Sequence, residues 1–349
     1  KGSDRIRGKD LIKKLYDIDE EERGVQKLLD GLKKLEQLIY KFISVNELSV
    51  DPLEEQRLLT IGLKKRKHTD LFYQEAARYE KMLEQKPVTI MRLVAEWWLD
   101  HQRYFHQYAQ QAGADIKWLE GSNKKLDLLI QLVKLRYLVE SQNLVNVRSK
   151  GIAIEAPPGL FLNTASEKDT LEVIWLYREV LPLVKDPFNL TTARKFLYHF
   201  ENKSGHLAAA DRIVLAKLLY NALLRSINGP NPQGMSQLIH LSKYIVRHDL
   251  YLFEGVISDD EYLNLAIMSG VGGAFKFQDY FIHDHAKYLE ENIREKAVRF
   301  VSIYRQFHLG NHEEAIRGLK ELFPPNTQDK DKYVFRAKAL LLRAYVAYY

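Results

Sequence analysis

Apolar side chains recur at helical spacing in the first part of the chain. The residues of the main stripe are separated alternately by four and three positions: Leu28, Leu32, Leu35, Ile39 and Phe42. This spacing is typical of an amphipathic helix. Three further apolar residues widen the stripe: Leu29, Leu38 and Ile43. Because a wide stripe can cover more than one neighbour, we expect this helix to pack against two others in a bundle rather than to pair with one partner in a coiled coil.

Proline and glycine divide the N-terminal part into further long helices. Asp51 before Pro52 fits an N-cap followed by proline at the first helical position. The pattern predicts three more long helices, at about residues 52–85, 88–111 and 115–143. Gly121 lies inside the third, where we expect a kink or short loop. Residues 1–147 are therefore predicted to form a bundle of long helices.

The pattern changes after residue 147. Residues 148–165 contain Gly151 and the run Pro157-Pro158-Gly159, and we interpret them as a linker or irregular loop. In residues 166–349, shorter helical segments alternate with turns rich in Gly, Pro, Asn and Asp, which predicts antiparallel helix pairs stacked in sequence. The predicted fold class is all-α, with the long-helix bundle followed by a right-handed superhelix of helix pairs.

Two segments of this second part share one spacing of a glycine, a ring and an aliphatic residue. The three residues are Gly273, Phe275 and Ile282 in one segment and Gly310, His312 and Leu319 in the other. The offset of 37 residues lies within the range of helical-repeat periods. We expect the glycine to allow a tight turn between two helices, and the other two residues to face the core.

The run from Leu309 to Ile316 resembles the tetratricopeptide repeat, whose turn typically has Leu, Gly, Asp or Asn, an aromatic residue and, three positions later, Ala. Four residues match its packing positions, with His312 in the place of an aromatic residue: Gly310, His312, Ala315 and Leu319. Leu322 departs from the pattern, which expects a small residue, and Pro324 comes early. The resemblance covers the C-terminal part only. It implies a superhelix of helix pairs that binds a peptide or helix on its concave face. The overall plan is also similar to that of uncharacterised bacterial all-helical proteins, which implies no activity.

Composition agrees with a helical protein and adds a basic region. Of 349 residues, 18 are Gly and 10 are Pro, which disfavours folds with many tight turns. The net charge of +6 is concentrated in residues 1–150, which hold 28 basic and 23 acidic side chains. The run Lys64-Lys65-Arg66-Lys67-His68 is its densest part, and we interpret it first as a solvated helix face or helix end. The alternative is that five side chains contact nucleic-acid phosphates: Lys64, Lys65, Arg66, Lys67 and Arg78.

Sequence motifs for catalysis, cofactors and metals are weak or missing. With no Cys, the chain has no disulfide and no thiolate nucleophile, and we expect a cytoplasmic protein with no membrane segment. The glycines around Gly272 lack the Lys and Ser/Thr of a phosphate loop. His283 and His285 are the nearest approach to a metal clip, although Asp284 between them fits better as a cap for the following helix. We predict no catalytic residue, no cofactor and no metal.

The function is therefore expected to follow from the shape. A helical-repeat surface usually binds a protein or peptide partner, so we expect an interaction scaffold. The tyrosines of the last helix could contribute to its surface: Tyr333, Tyr345, Tyr348 and Tyr349. Nucleic-acid binding by the basic helices is the first alternative, and an enzyme with a helical cleft is the second. Residues 337–349 end without a polar closing helix, so we expect the natural chain to continue.

Overall fold

The structure is a computed structural model that describes residues 21–106, 115–148, 171–228, 234–324 and 332–349. These residues form fourteen α-helices and no strand, which confirms the predicted all-α class. The first five helices are α1 (Glu21–Val50), α2 (Pro52–Lys65), α3 (Thr69–Glu84), α4 (Ile90–Tyr104) and α5 (Ile116–Arg148). The other nine are α6 (Glu172–Lys185), α7 (Leu190–Lys203), α8 (Ala209–Ile227), α9 (Met235–Arg247), α10 (Asp259–Val271), α11 (Phe275–Asp284), α12 (Glu291–His308), α13 (His312–Leu322) and α14 (Lys332–Tyr348).

The backbone divides into two compact units. The first comprises Lys1–Lys86 and Ala95–Asn123, and the second comprises Pro87–Val94 and Lys124–Tyr349. The division passes through α4 and α5 and does not coincide with the predicted linker at 148–165, of which the structure describes only Arg148.

The first helix boundary has the local structure that its sequence predicts. Asp51 has an extended backbone, and its Oδ1 atom accepts a hydrogen bond of 3.0 Å from the Leu53 N–H. Pro52 occupies the first helical position, where its missing N–H costs nothing. The predicted N-cap is confirmed.

The prediction of one helix over residues 52–85 is wrong, because the chain turns at the basic run. Lys67 has a left-handed φ of 61°. Its N–H donates to the Lys64 carbonyl, and the His68 N–H donates to the Leu63 carbonyl, both at 3.0 Å. These two bonds form a Schellman motif, which ends α2 with a lysine at the position that glycine usually holds. The basic run is therefore a helix end followed by a tight turn.

Three helices of the second unit end in the same motif. The residues with positive φ in these three motifs are Asp249 (54°), Gly273 (70°) and Gly310 (85°). The N–H of each of them donates to the carbonyl three residues earlier, and the N–H of the following residue donates to the carbonyl five residues before it. The two glycines therefore occupy positions where a side chain would strain the backbone.

Helix α5 continues without a break through Gly121, where a kink or loop was expected. A Cβ atom on Gly121 would lie 2.7 Å from Oδ2 of Asp100. The glycine therefore permits a close approach to the Asp100 side chain and does not interrupt the helix.

Helices α6 to α14 pack as successive pairs. Each helix from α6 onward packs against the next, and the first helix of one pair also packs against that of a neighbouring pair, as α8 does on α6 and α12 on α10. An ion pair of 3.0 Å between Lys217 and Glu261 joins α8 to α10. On the other layer, Phe200 of α7 contacts the Tyr244 ring of α9.

The same connection between pairs occurs twice. A single turn of 3₁₀-helix, Ser204–His206 or Ala286–Tyr288, follows the second helix of a pair. The residue after this turn is Leu207 in the first case and Leu289 in the second, and both are buried. Each has an extended backbone, and its N–H donates a hydrogen bond to the carbonyl three residues earlier. A buried leucine thus fixes the start of each following pair.

Candidate functional site

A cavity of about 340 Å³ lies in the first unit, beside the turn between α2 and α3. We call it the basic pocket. It is lined by Ile61, Lys64, Lys65, Lys67, Phe72, Trp98, Gln102 and His106. Three of these are lysines and none is an Asp or Glu, so the lining carries an excess of positive charge.

The deepest polar groups of the basic pocket are Lys64, Gln102 and His106. The Lys64 ammonium donates a hydrogen bond of 2.6 Å to Oε1 of Gln102, and burial lowers the pKa of Lys64. The His106 ring stacks on Phe72 with centroids 4.8 Å apart. Burial, followed by the charge of Lys64, lowers the pKa of His106, which favours the neutral imidazole.

The structure brings together three of the five residues that the nucleic-acid alternative named. Lys64, Lys65 and Lys67 line the basic pocket. Arg66 is exposed and donates to the Gly62 carbonyl. Arg78 lies on an exposed part of α3, 3.8 Å from Glu75. Sequence reasoning missed Phe72, Trp98, Gln102 and His106. Phe72 lies on α3, just after the turn, and gave no charge signal. The other three lie on α4 or just after it, and only the tertiary fold brings them to this turn.

A second feature of the first unit is the apolar face of α1. Nine of its large apolar side chains between residues 25 and 45 are 41–68% exposed: Val25, Leu29, Leu32, Leu35, Leu38, Ile39, Phe42, Ile43 and Val45. We expected neighbouring helices on both sides of this stripe, but in the described residues the face is open to solvent. Exposed apolar patches of this kind are typical of sites that contact another protein or a membrane.

A groove of about 920 Å³ lies in the second unit, between the loop after α9 and the starts of α12 and α14. Its apolar part includes the exposed Phe253, together with Ile257 and Ile293. Tyr333, one of the tyrosines of the last helix, lines it and donates a hydrogen bond of 3.1 Å to Asp259. The other groove residues are Glu254, Val256, Ser258, Glu290, Asn292 and Lys296.

The two histidines considered as a metal clip lie in different environments. His283 is exposed on α11, whereas His285 is buried, with its Nδ1 atom 2.5 Å from the Tyr251 hydroxyl and its ring stacked on Phe281. Among the described residues, no group of three His, Asp or Glu side chains could hold a metal ion.

The residues expected to pack between repeats lie on α11, α13 and their turns. Gly273 and Gly310 occupy the turns with positive φ. Ile282, Ala315 and Leu319 are buried, and Phe275 and His312 are half-buried. The His312 ring contacts Phe307, with centroids 5.3 Å apart.

No protein-family model, curated protein or solved structure matches this chain. In the described part of the chain, none of the helices has the length and apolar character needed to cross a membrane.

Proposed function

We propose that this protein is an interaction scaffold that associates with a second copy of itself through the apolar face of α1. The observation that supports the proposal is the exposure of nine large apolar side chains on one helix of 30 residues. A helix of this length extends about 45 Å. Covering its apolar face with a second helix removes these side chains from water, which favours association.

The sequence of α1 fits a partner helix of the same sequence. In heptad notation, Val25, Leu32, Ile39 and Asn46 take position a, and Leu28, Leu35 and Phe42 take position d. In parallel coiled coils, β-branched residues at a, such as Val25 and Ile39, with leucine at d favour two strands, and an asparagine at a fixes the register. Leu29 and Ile43 at position e, with Leu38 and Val45 at g, broaden the contact, which suits two or more copies.

The charges beside the apolar face favour the parallel orientation. One edge carries Lys27, Lys34 and Lys41 at position c, next to g. The opposite edge, formed by positions e and b, carries Glu36, Glu47 and one lysine, Lys33. In a parallel pair the g side of one helix faces the e side of the other, which brings the basic edge to the acidic one. An antiparallel pair would place the basic edges together.

Single-cysteine cross-linking tests this proposal, because this chain of 349 residues has no Cys. Leu28→Cys lies near one end of the heptads, so mild oxidation joins two copies only when they are parallel and in register. Asp30→Cys, at the outward position f, is the matched control and should remain unlinked. We expect sedimentation at micromolar concentration to show an oligomer that Leu32→Glu with Ile39→Glu converts to a monomer.

Two results would contradict parts of the proposal. A monomer in sedimentation, with helix content unchanged, excludes self-association through α1. Cross-linking of Leu28→Cys to Ile39→Cys in a mixture, without linking of Leu28→Cys to itself, establishes an antiparallel pair, in which a d residue faces an a residue, and overturns the orientation.

We further propose that α6 to α14 form a right-handed superhelix of the tetratricopeptide kind. The stacking of first helices and the positive-φ turns at Gly273 and Gly310 support this arrangement. Spin labels at Glu172 on α6 and Glu291 on α12 test it, since three interhelical steps of 8–10 Å give about 25–30 Å. A distance beyond about 45 Å is incompatible with stacked first helices.

The groove that Tyr333 lines is the proposed peptide surface of this superhelix. Its rim carries Glu254 and Glu290, and among its lining residues the one cation, Lys296, lies over the Tyr333 ring at 5.2 Å. The occupant we propose is a basic peptide segment with an apolar anchor. A fluorescent peptide with alternating Lys and Leu should bind, and Glu254→Lys with Glu290→Lys should abolish binding. Equal binding of an acidic Glu/Leu peptide would refute this assignment.

A further inference from the structure

The basic pocket concentrates positive charge without an acidic counterpart. Its three lysines come from the last turn of α2 and the residue with positive φ that follows. Lys64 and Lys65 also complement the negative end of the α2 dipole, but this role explains neither Lys67 nor the cavity beside it.

Lys64 contrasts with another cation of the same unit. Arg103 is buried and forms ion pairs with two carboxylates, Glu80 at 2.8 Å and Asp100 at 3.6 Å. Lys64 is half-buried, and its hydrogen bond of 2.6 Å is to the neutral amide of Gln102. A partly buried charge is normally paired. An anion in the pocket would supply this pairing.

Lys67 gives an independent reason to expect a ligand. It holds the left-handed position of a Schellman motif with φ of 61°, which costs a non-glycine residue about 1–2 kcal/mol. Glycine would form the same turn without this strain. Strain of this kind is concentrated at functional sites, and here it places an ammonium group at the wall of the cavity.

The other walls define the rest of the ligand. Ile61, Phe72 and Trp98 supply apolar and aromatic surface, while Gln102 and the neutral His106 supply hydrogen-bonding groups. A volume of about 340 Å³ lies at the lower end of the range for small-molecule sites. Lysine binds phosphate as a compact point charge. We propose that the basic pocket binds a phosphate monoester attached to an aromatic base, the chemistry of a mononucleotide.

Calorimetric titration of the full chain with AMP tests this site, which is independent of self-association through α1. We expect AMP to bind, and inorganic phosphate and adenosine each to bind at least about tenfold more weakly, because each retains only one half of the contacts. Lys67→Asn keeps a residue that tolerates positive φ and removes the charge. It should weaken AMP binding about tenfold, as should Lys65→Gln. Arg78→Gln, outside the pocket, is the matched control and should leave the affinity unchanged.

The same phosphate chemistry occurs at the 5′ end of a nucleic-acid strand. Short single strands with a 5′-phosphate and with a 5′-hydroxyl distinguish the two sources. Tighter binding of the phosphorylated strand than of both AMP and the hydroxyl strand assigns the pocket to strand ends, and tighter binding of AMP assigns it to free mononucleotides. Either result supports a phosphate-binding site in the basic pocket.

Three results would overturn the proposal. The first is the absence of AMP binding at millimolar concentration and low ionic strength. The second is an equal loss of affinity in Arg78→Gln and Lys67→Asn, which indicates nonspecific attraction to a basic surface. The third is equal affinity for AMP and inorganic phosphate, because the apolar walls then make no contribution. Circular dichroism of each variant checks that the fold is retained.

Discussion

The Tyr177 hydroxyl donates a hydrogen bond of 2.8 Å to Oδ1 of Asp211, and both residues are only 1% exposed. Arg136 of α5 donates to the same carboxylate oxygen. The carboxylate therefore joins α5, α6 and α8 in the core of the second unit. Burial, followed by the charge of Asp211, raises the pKa of Tyr177, so the hydroxyl remains a hydrogen-bond donor at neutral pH.

Removing this hydroxyl should destabilise the protein. We expect Tyr177→Phe to lower the free energy of unfolding by about 1.5–3 kcal/mol, the contribution of a hydrogen bond to a charged group. Urea denaturation measures the change. Glu179→Gln is the control, because its ion pair with Lys195 is partly exposed and should contribute less than about 1 kcal/mol. Equal effects of the two substitutions would argue against a structural role for the buried bond.

Because the Schellman motifs require a positive φ, we expect substitutions at Lys67 and at Gly310 to change the free energy of unfolding in opposite directions. Lys67→Gly removes left-handed strain and should raise the free energy of unfolding by about 1 kcal/mol, whereas Gly310→Ala introduces it and should lower that energy by about 1–2 kcal/mol. No heavy atom lies within 4 Å of the Cβ position at Gly310, so the expected loss of stability comes from the backbone conformation and not from a steric clash. Gly205→Ala, which has neither a close neighbour nor positive φ, serves as the control. A stability loss in Lys67→Gly would show that the lysine side chain stabilises the fold.

These motifs also show what the sequence could and could not predict. Periodicity predicts the helices and the all-α class, and Gly310 is recognisable as a turn because glycine favours positive φ. Lys67 gives no such signal, since lysine is a good helix former and the pattern on both sides is helical. The helix end at Lys67 is a tertiary effect: it allows α3 to fold back on α2.

The candidate sites, like the helix ends, could be predicted only in part from the sequence. The basic run was visible in the sequence as a charge cluster, but Trp98 and Gln102 of the pocket wall come from α4, about 30 residues further along. The apolar stripe of α1 was visible as well, and it predicted that neighbouring helices of the same chain cover this face. Helical spacing specifies which side chains share a face, but it does not specify whether that face is covered by the same chain or by another.

Gly270 should be intolerant of a larger side chain. A Cβ atom at this position would lie 2.5 Å from Nε2 of Gln278 and would also collide with the His308 ring. Gln278 is fully buried and donates to the Ala266 carbonyl, so it cannot move aside without losing a hydrogen bond. We expect Gly270→Ala to lower the free energy of unfolding by about 1–3 kcal/mol, as overpacking does. Thermal denaturation of Gly270→Ala, with Gly205→Ala as the control, measures this loss of stability. An unchanged midpoint would show that the surrounding helices accommodate the added methyl group.

His308 should make stability depend on pH. Burial, followed by the positive charge of Arg343, lowers its pKa to about 4, whereas an unfolded histidine titrates near 6.5. Between these values the unfolded chain binds a proton that the folded chain does not bind. The contribution of neutral His308 to stability is therefore complete above about pH 6.5 and is lost progressively as the pH falls toward 4. Urea denaturation at pH 7 and pH 5 should show a lower free energy of unfolding at pH 5, and His308→Gln should reduce this difference. His283→Gln, on the exposed side of α11, should leave the difference unchanged. A ring titration of His308 by NMR with a midpoint near 6.5 would contradict the assignment.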